Sequence, residues 1–425
     1  MIRLAAKIVS ASICVWMAVS GLGSGGVYAD VHPERRKEQF PTEPAHLFVP
    51  LPYSVPGIGE GLFLLGNLAN VLESTADALI IYIVGDVEGP IFNLEEVPLI
   101  SETLLFGGFA ADISKVAINS YEKRGMDTQK NDFNIVELSS LQFTAPELTL
   151  TFFDRRLDFT VGLEKQKGKT VALRDSNGNL IVQLAEPLVS ETESTFYGVQ
   201  IDLTDDFQDP RKGIRLHLQN RSTPAADPDE AEFDVTNFNA TFYIPVGAIS
   251  TLVFNYFQSD AHVKRQGNTS RADIEAELGI VCLAGDTECD KALQEQIDTT
   301  VSQRTNGTAA SLGGLERLRS YPQDRFQGAH TAFYGAEFRW NLTDEATPFD
   351  YLFWKDVRTG VQVAFFGESG TVSETRGELW DRSRESYGMG LRLITASGSV
   401  YRAEIAFGDE GGEVTVFFFY PWQEL

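Results

Sequence analysis

The chain is short of several things that would mark a common class of protein. Five histidines and three cysteines stand among 425 residues. None of the histidines (His32, His46, His217, His262, His330) belongs to a recognisable nucleophile constellation, and Gly367-Glu368-Ser369-Gly370 lacks the spacing of a nucleophile elbow. This argues against an enzyme, and no metal or cofactor motif stands out. Positive charge is also scarce, with 35 Lys and Arg against 60 Asp and Glu and a net charge of −25. Nucleic acid demands a basic face, and anionic lipid a basic patch, so neither is an expected partner. Long apolar runs are missing too. Beyond Ala29 the best candidate is Leu79-Ile80-Ile81-Tyr82-Ile83-Val84, far below the roughly 20 residues that a membrane helix needs.

At the start of the chain Arg3 and Lys7 precede an apolar stretch from Ile8 to Val19, followed by Val27-Tyr28-Ala29. That order predicts a secretory signal over 1–29, cleaved after Ala29. Residues 30–50 carry Pro33, Pro41, Pro44 and Pro50 among charges and read as a short extended periplasmic lead. Cys14 leaves with the signal. Cys282 and Cys289 share a polar loop in an oxidising compartment, which predicts a disulfide; with no histidine beside them, a metal site is the weaker reading.

From Leu51 to the end the pattern repeats. Segments of alternating polarity are separated by Gly, Asp, Asn, Ser and Pro clusters. Tyr387, Met389, Leu391 and Leu393 alternate with Ser386, Gly388, Gly390 and Arg392; Tyr401, Ala403, Ile405 and Phe407 alternate with Arg402, Glu404 and Gly408. Successive strand side chains point to opposite faces, so each segment has one apolar and one polar face. A soluble β-sandwich would give the same period. Three features favour a membrane barrel instead. Trp340, Trp354, Tyr420 and Trp422 lie near strand ends, as an interfacial girdle would. The pattern does not change along the chain, and its last segment (Val414, Val416, Phe418, Tyr420, Trp422 on one face) is aromatic. The expectation is an all-β transmembrane antiparallel barrel over 51–425, apolar outside and polar inside, with an even strand count, sixteen being the expected number.

One connection is far too long for a hairpin. About 70 polar residues separate the segments near Thr251–Asp260 and Thr331–Trp340, with helical stretches expected at Arg271–Leu278 and Lys291–Val301. The connection ends in Gly313-Gly314-Leu315-Glu316-Arg317-Leu318-Arg319-Ser320-Tyr321-Pro322. Leu318, Arg319, Ser320 and Tyr321 resemble the Val-Arg-Gly-Phe/Tyr motif of the BamA/TamA outer-membrane assembly family, also called bacterial surface antigens, in which this motif tips a loop folded into the barrel lumen. Ser320 stands where the family has glycine. Further matches follow in order. Ala336-Glu337-Phe338-Arg339 resembles the family's Leu-Glu-Phe/Tyr-Arg strand, and Phe366-Gly367-Glu368-Ser369-Gly370 its Phe-x-Asp-x-Gly strand. Asp202, Asp205, Asp209, Pro210 and Gly213 resemble its turn elements, with Thr204 in place of an arginine.

The alternation tests this independently: with Tyr334, Phe338, Val363 and Phe365 facing lipid, Glu337, Arg339 and Glu368 face the lumen. Arg319 then has two inward carboxylates, Glu337 and Glu368, for charge-assisted pairing that would fix the loop inside. The resemblance implies insertion or translocation of client polypeptides, unfolded or secreted, in a bacterial outer membrane. It also implies contact with outer-membrane lipids and a periplasmic or lipoprotein partner. Asp30–Pro50 is too short for the family's periplasmic polypeptide-transport-associated domains, so the chain reads as a short branch without them. Gly57, Gly59, Gly61 and Gly66 fit either a weakly paired first strand or close packing. The competing reading is a passive channel, since Arg215, His217, Glu337 and Arg339 would line a wet, charged lumen.

Overall fold

The structure, a computed structural model, describes residues 44–100, 103–121, 123–225, 227–278, 287–343, 349–351, 354–357, 359–395 and 400–422. The signal segment 1–29, Cys282 and the side chains of Cys289 and Trp354 lie outside the described residues.

Sixteen antiparallel strands close into one sheet. They begin with β1 (Ala45–Val55), β2 (Gly59–Ala69), β3 (Asp77–Gly85) and β4 (Gly89–Ile100). The fifth, β5, is broken into Leu104–Ile113 and Val116–Tyr121, both paired with the next strand. Three long strands follow: β6 (Phe133–Phe152), β7 (Leu157–Arg174) and β8 (Leu180–Asp202). Then come β9 (Gly213–Thr223), β10 (Glu232–Val246), β11 (Ser250–Arg265) and β12 (His330–Asn341). The last are β13 (Thr359–Ser373), β14 (Arg384–Thr395), β15 (Val400–Gly408) and β16 (Gly411–Phe418). The long connection between β11 and β12 carries helices α1 (Arg271–Leu278) and α2 (Thr287–Asn306), which bury Ile274, Leu293 and Ile297 between them.

Each strand pairs with its chain neighbours, and β16 returns to β1. That closing contact is one position, Ser54 opposite Val416, whereas β1 and β2 are in register from Ala45–Ala69 to Val55–Gly59. The prolines of β1 explain part of this difference. Pro50 and Pro52 share a parity, and the Pro52 carbonyl accepts the Tyr401 hydroxyl at 2.7 Å, from the β15 side. Their missing N–H donors therefore fall on the edge that faces β16. The same prolines hide the strand in the sequence: β1 opens at Ala45, ahead of the Leu51 expected from composition.

Two expectations need correction. The lumen is not polar throughout, because the inner face of β1–β5 is apolar: Tyr53, Phe63, Leu65, Ile81, Ile83 and Ile113 pack there with Phe418. Leu62 and Leu64 are exposed on the outer face of the same strand, so β2 and β3 are apolar on both faces and show no alternation. Tyr420 and Trp422 are not girdle residues either. The chain leaves β16 through a left-handed Phe419 (φ 64°) and turns inward, burying Tyr420 and Trp422 at 4% and 2% exposure. Trp340, by contrast, is 43% exposed on the outer face.

Of the glycines of the first hairpin, Gly57 and Gly59 hold positive φ (84° and 144°) at the turn, while Gly61 and Gly66 answer to packing. An added Cβ on Gly61 would lie 2.2 Å from the Val84 carbonyl of β3 and 2.9 Å from the Tyr53 ring, and one on Gly66 2.8 Å from the Phe48 ring. They make room for β1 side chains while β1–β2 pairing stays complete.

Candidate functional site

The loop after α2 re-enters the lumen as a short hairpin, Leu312 and Phe326 being paired across it. Gly313 and Gly314 hold φ of 109° and 103°, and Leu318 is left-handed at 53°. The strained position is thus Leu318, so Ser320 is accommodated without a glycine. Leu312, Leu318, Tyr321 and Phe326 are fully buried against Phe257, Phe333 and Trp422. Burial of several large apolar side chains, each worth about 1.5–3 kcal/mol, holds the tip in place before any charge is counted.

Arg319 lies at the centre, its side chain fully buried. Its Nε donates to Glu368 Oε1 at 2.8 Å and its backbone N to Glu368 Oε2 at 2.9 Å. Nη1 reaches both oxygens of Glu404 at 3.0 Å, and Glu337 at the longer distance of 3.3 Å. The guanidinium lies 3.4 Å over the Phe366 ring. Three more arginines complete the cluster. Arg392 bridges Glu337 (2.6 Å) and Glu404 (2.7 Å), Arg402 binds Glu404, and Arg339 binds Glu337 at 2.8 Å. Four guanidinium groups meet three carboxylates. Such a buried network is favourable only because nearly every ion is held by more than one opposite charge or hydrogen bond, which offsets a desolvation cost of several kcal/mol per ion.

The elements follow from strand parity. Glu337 and Arg339 project inward from β12, Glu368 from β13, Arg392 from β14 and Glu404 and Arg402 from β15. Glu337, Arg339 and Glu368 were singled out from the sequence. Glu404, Arg392 and Arg402 fall on the polar face by the same alternation, and their inward parity is the sequence signal for them, but nothing in the sequence joins them to Arg319. Gly370 packs beneath the tip, where a Cβ would meet Leu312 at 2.7 Å. Ser320 N donates to Ser386 Oγ at 3.0 Å, and Tyr321 OH donates to the Glu385 carbonyl at 3.2 Å.

The tail closes the cluster from below. Trp422 Nε1 donates to Glu368 Oε1 at 3.0 Å, while the Trp422 carbonyl accepts from Asn239 at 2.8 Å. Tyr420 OH donates to Asp209 at 2.9 Å. Asp209 belongs to the β8–β9 turn that the sequence marked. There Asp202 accepts from Thr204 and from Arg215, and Asp205 accepts from the backbone of Arg211 and Lys212. Gly213 holds a φ of 115° in this turn, and a Cβ there would lie 2.2 Å from the Leu203 carbonyl.

The other end of the lumen is spanned by the loop between β5 and β6. Arg124 makes a bidentate pair with Glu374 and donates to the Gly307 carbonyl; Gly125 N donates to the Gln327 carbonyl, and Met126 is buried against the tip. Arg325 clasps Glu410 and the Thr128 carbonyl. Lys123 pairs with Asp132 at 2.9 Å and Glu295 at 3.1 Å. Burial alone would discourage both charges of the Lys123–Asp132 pair, but their mutual bond holds the amine above and the carboxyl below its ordinary range.

The sequence model of the Omp85 superfamily domain matches residues 118–417. Among solved structures, BamA from Haemophilus ducreyi lacking POTRA domains 1–3 is 13% identical over 88% of this chain and 69% of that one, with a TM-score of 0.46. CdiB from Escherichia coli is 12% identical over 86% of this chain and 61% of that one, with a TM-score of 0.47. CdiB from Acinetobacter baumannii is 10% identical over 90% and 66%, with a TM-score of 0.44. The chain therefore spans less than two thirds of either CdiB chain. No curated protein matches.

Proposed function

The chain belongs to the Omp85 superfamily, and from that premise we propose that it inserts or translocates polypeptide through the seam between β1 and β16. It acts in the bacterial outer membrane without enzymatic chemistry, surrounded by lipid, on unfolded or secreted client proteins and with a periplasmic or lipoprotein partner. Residues 1–29 serve as its export signal, so the N-terminal mass of the mature chain should begin at Asp30.

The observation that carries this reading is the seam. One paired position joins β1 to β16, the prolines of β1 withhold donors on that edge, and the tail turns away into the lumen. The Arg319 cluster keeps the tip rigid beside this weak closure, so opening the seam leaves the rest of the wall intact.

The test replaces Ser54 and Val416 by cysteine in a background with Cys282→Ser and Cys289→Ser. Oxidation should staple the seam, and the outer-membrane and surface proteome of cells relying on this variant should lose particular barrels or surface proteins, which reappear on reduction. An oxidised variant with a wild-type proteome overturns the reading.

A passive channel is the second reading. Asn93, Glu147, Gln200 and His217 are inward and only partly buried on β4 to β9, so that side of the lumen is wet. Changed solute uptake with an unchanged proteome on depletion would favour it.

A further inference from the structure

Strand β8 is much longer than the barrel wall requires. In its lower part the outward residues are Ile201, Val199 and Tyr197, and on β7 they are Phe159, Val161 and Leu163, an apolar band fit for lipid. Farther along, the same faces carry Thr195, Glu193 and Glu191 on β8, and Lys165, Lys167 and Lys169 on β7. The sheet has left the apolar band and stands in water. At its far end aliphatic side chains return: Leu180, Ile181, Val182, Leu188 and Val189 are between 41% and 65% exposed. Neither lipid nor a core accounts for them.

The backbone there is open as well. β8 pairs with β7 from Leu180 to Ile201 but with β9 only from Thr195 to Asp202. Among the described residues nothing pairs with the other edge of Leu180–Ser194. Register is lost between Thr170–Leu188 and Ala172–Gln183, so Leu184–Pro187 bulge out of the ladder. A bulge with proline is how an edge is kept from unlimited pairing. It leaves Leu188-Val189-Ser190-Glu191-Thr192-Glu193-Ser194 as one uninterrupted free segment, the length of an ordinary strand.

We propose that the free edge of β8 at Leu188–Ser194 is a docking site for an extended, basic and aliphatic segment of another polypeptide, which adds to the sheet as a further strand. Backbone groups of the edge supply the hydrogen bonds, and alternate side chains supply selection. Glu191 and Glu193 lie on one face, held from the β7 side by Lys165 at 2.8 Å and 3.6 Å, and Glu191 also by Lys167 at 3.1 Å. Their other side faces the vacant position, where lysine or arginine of an incoming strand would meet them, with aliphatic residues on the opposite face beside Leu188. A second copy of this chain fits worse. Antiparallel self-pairing centred on Glu191 or Thr192 sets glutamates opposite glutamates, between molecules of net charge −25. This site is independent of the seam.

The experiment uses the full chain in lipid nanodiscs and a dye-labelled eight-residue peptide of alternating lysine and valine, read by fluorescence anisotropy. Controls are the same peptide N-methylated at every second residue and a glutamate–valine peptide. Leu188→Glu and the double variant E191K/E193K change exposed side chains; heat-modifiable migration on gels verifies that their barrels are folded. The lysine–valine peptide should bind the wild type, and each control peptide and each variant should weaken binding roughly tenfold or more. Absence of binding, equal binding of the N-methylated peptide, or equal binding by folded variants overturns the proposal. So does efficient cross-linking of Ser190→Cys between two copies, which assigns the edge to self-association.

Discussion

Replacing Arg319 with alanine takes one guanidinium from a cluster of four facing three carboxylates, and the loss is uneven. Glu337 keeps Arg339 and Arg392, and Glu404 keeps Arg392 and Arg402. Glu368 loses its guanidinium partner and retains the residue-319 backbone N–H and Trp422 Nε1. Breaking a buried ion pair costs about 3–5 kcal/mol. The cluster becomes formally neutral and Glu368 keeps two donors, so the lower end, about 3 kcal/mol, is expected. The pairwise terms should differ sharply. A double-mutant cycle of Arg319→Ala with Glu368→Gln should show coupling of about 2 kcal/mol, whereas the cycle with Glu337→Gln should stay below about 1 kcal/mol. The Glu337 contact is longer, at 3.3 Å, and that carboxylate has two other arginines. Urea unfolding of the purified barrel, followed by tryptophan fluorescence, gives the energies. Trypsin cleavage after Arg317 and Arg325 reports whether the tip has left the lumen. An R319A barrel with the wild-type unfolding midpoint and protease resistance, or strict additivity with Glu368→Gln, would refute the reasoning.

The tail and the turn give further tests. Trp422→Ala should cost about 3–5 kcal/mol as a buried aromatic, whereas Trp340→Ala, on the outer face, should cost much less; brominated lipid should quench Trp340 and spare Trp422. Gly213→Ala meets the Leu203 carbonyl at a φ of 115°, so a loss of about 1–3 kcal/mol is expected, seen as a lower unfolding midpoint with Tyr420 contacts to Asp209 disturbed.

Much of the barrel was legible because period-two alternation is a local property. The strands from β11 onward alternate cleanly, and Glu337, Arg339 and Glu368 could be assigned to the lumen by parity alone. What escaped was set by distant packing. Tyr420 and Trp422 continue the apolar face of β16 in sequence, but a single left-handed residue, Phe419, turns them inward, and nothing local announces it. The inner face of β1–β5 is apolar because it packs against itself and Phe418, which erases the alternation. Arg392, Arg402 and Glu404 were visible as inward charges, yet their meeting at Arg319 depends on barrel curvature. Leu318 carries the strained backbone that the family motif would assign to the position of Ser320.

The location of the Arg319 cluster along the chain sets the order in which the barrel can be built. Its charges come from the re-entrant tip and β12–β15, and the tail that caps it is held by Asn239 of β10 and Asp209. This C-terminal half can gather before β1–β5 have paired with anything. A tip carrying buried guanidinium groups does not thread easily into a finished barrel, since it would shed its water before meeting its carboxylates. The wall is therefore expected to wrap around a hub already assembled, with the strands most distant in sequence expected to meet last, since such contacts are the slowest to form. By this reasoning the pair Ser54–Val416 is where folding should finish.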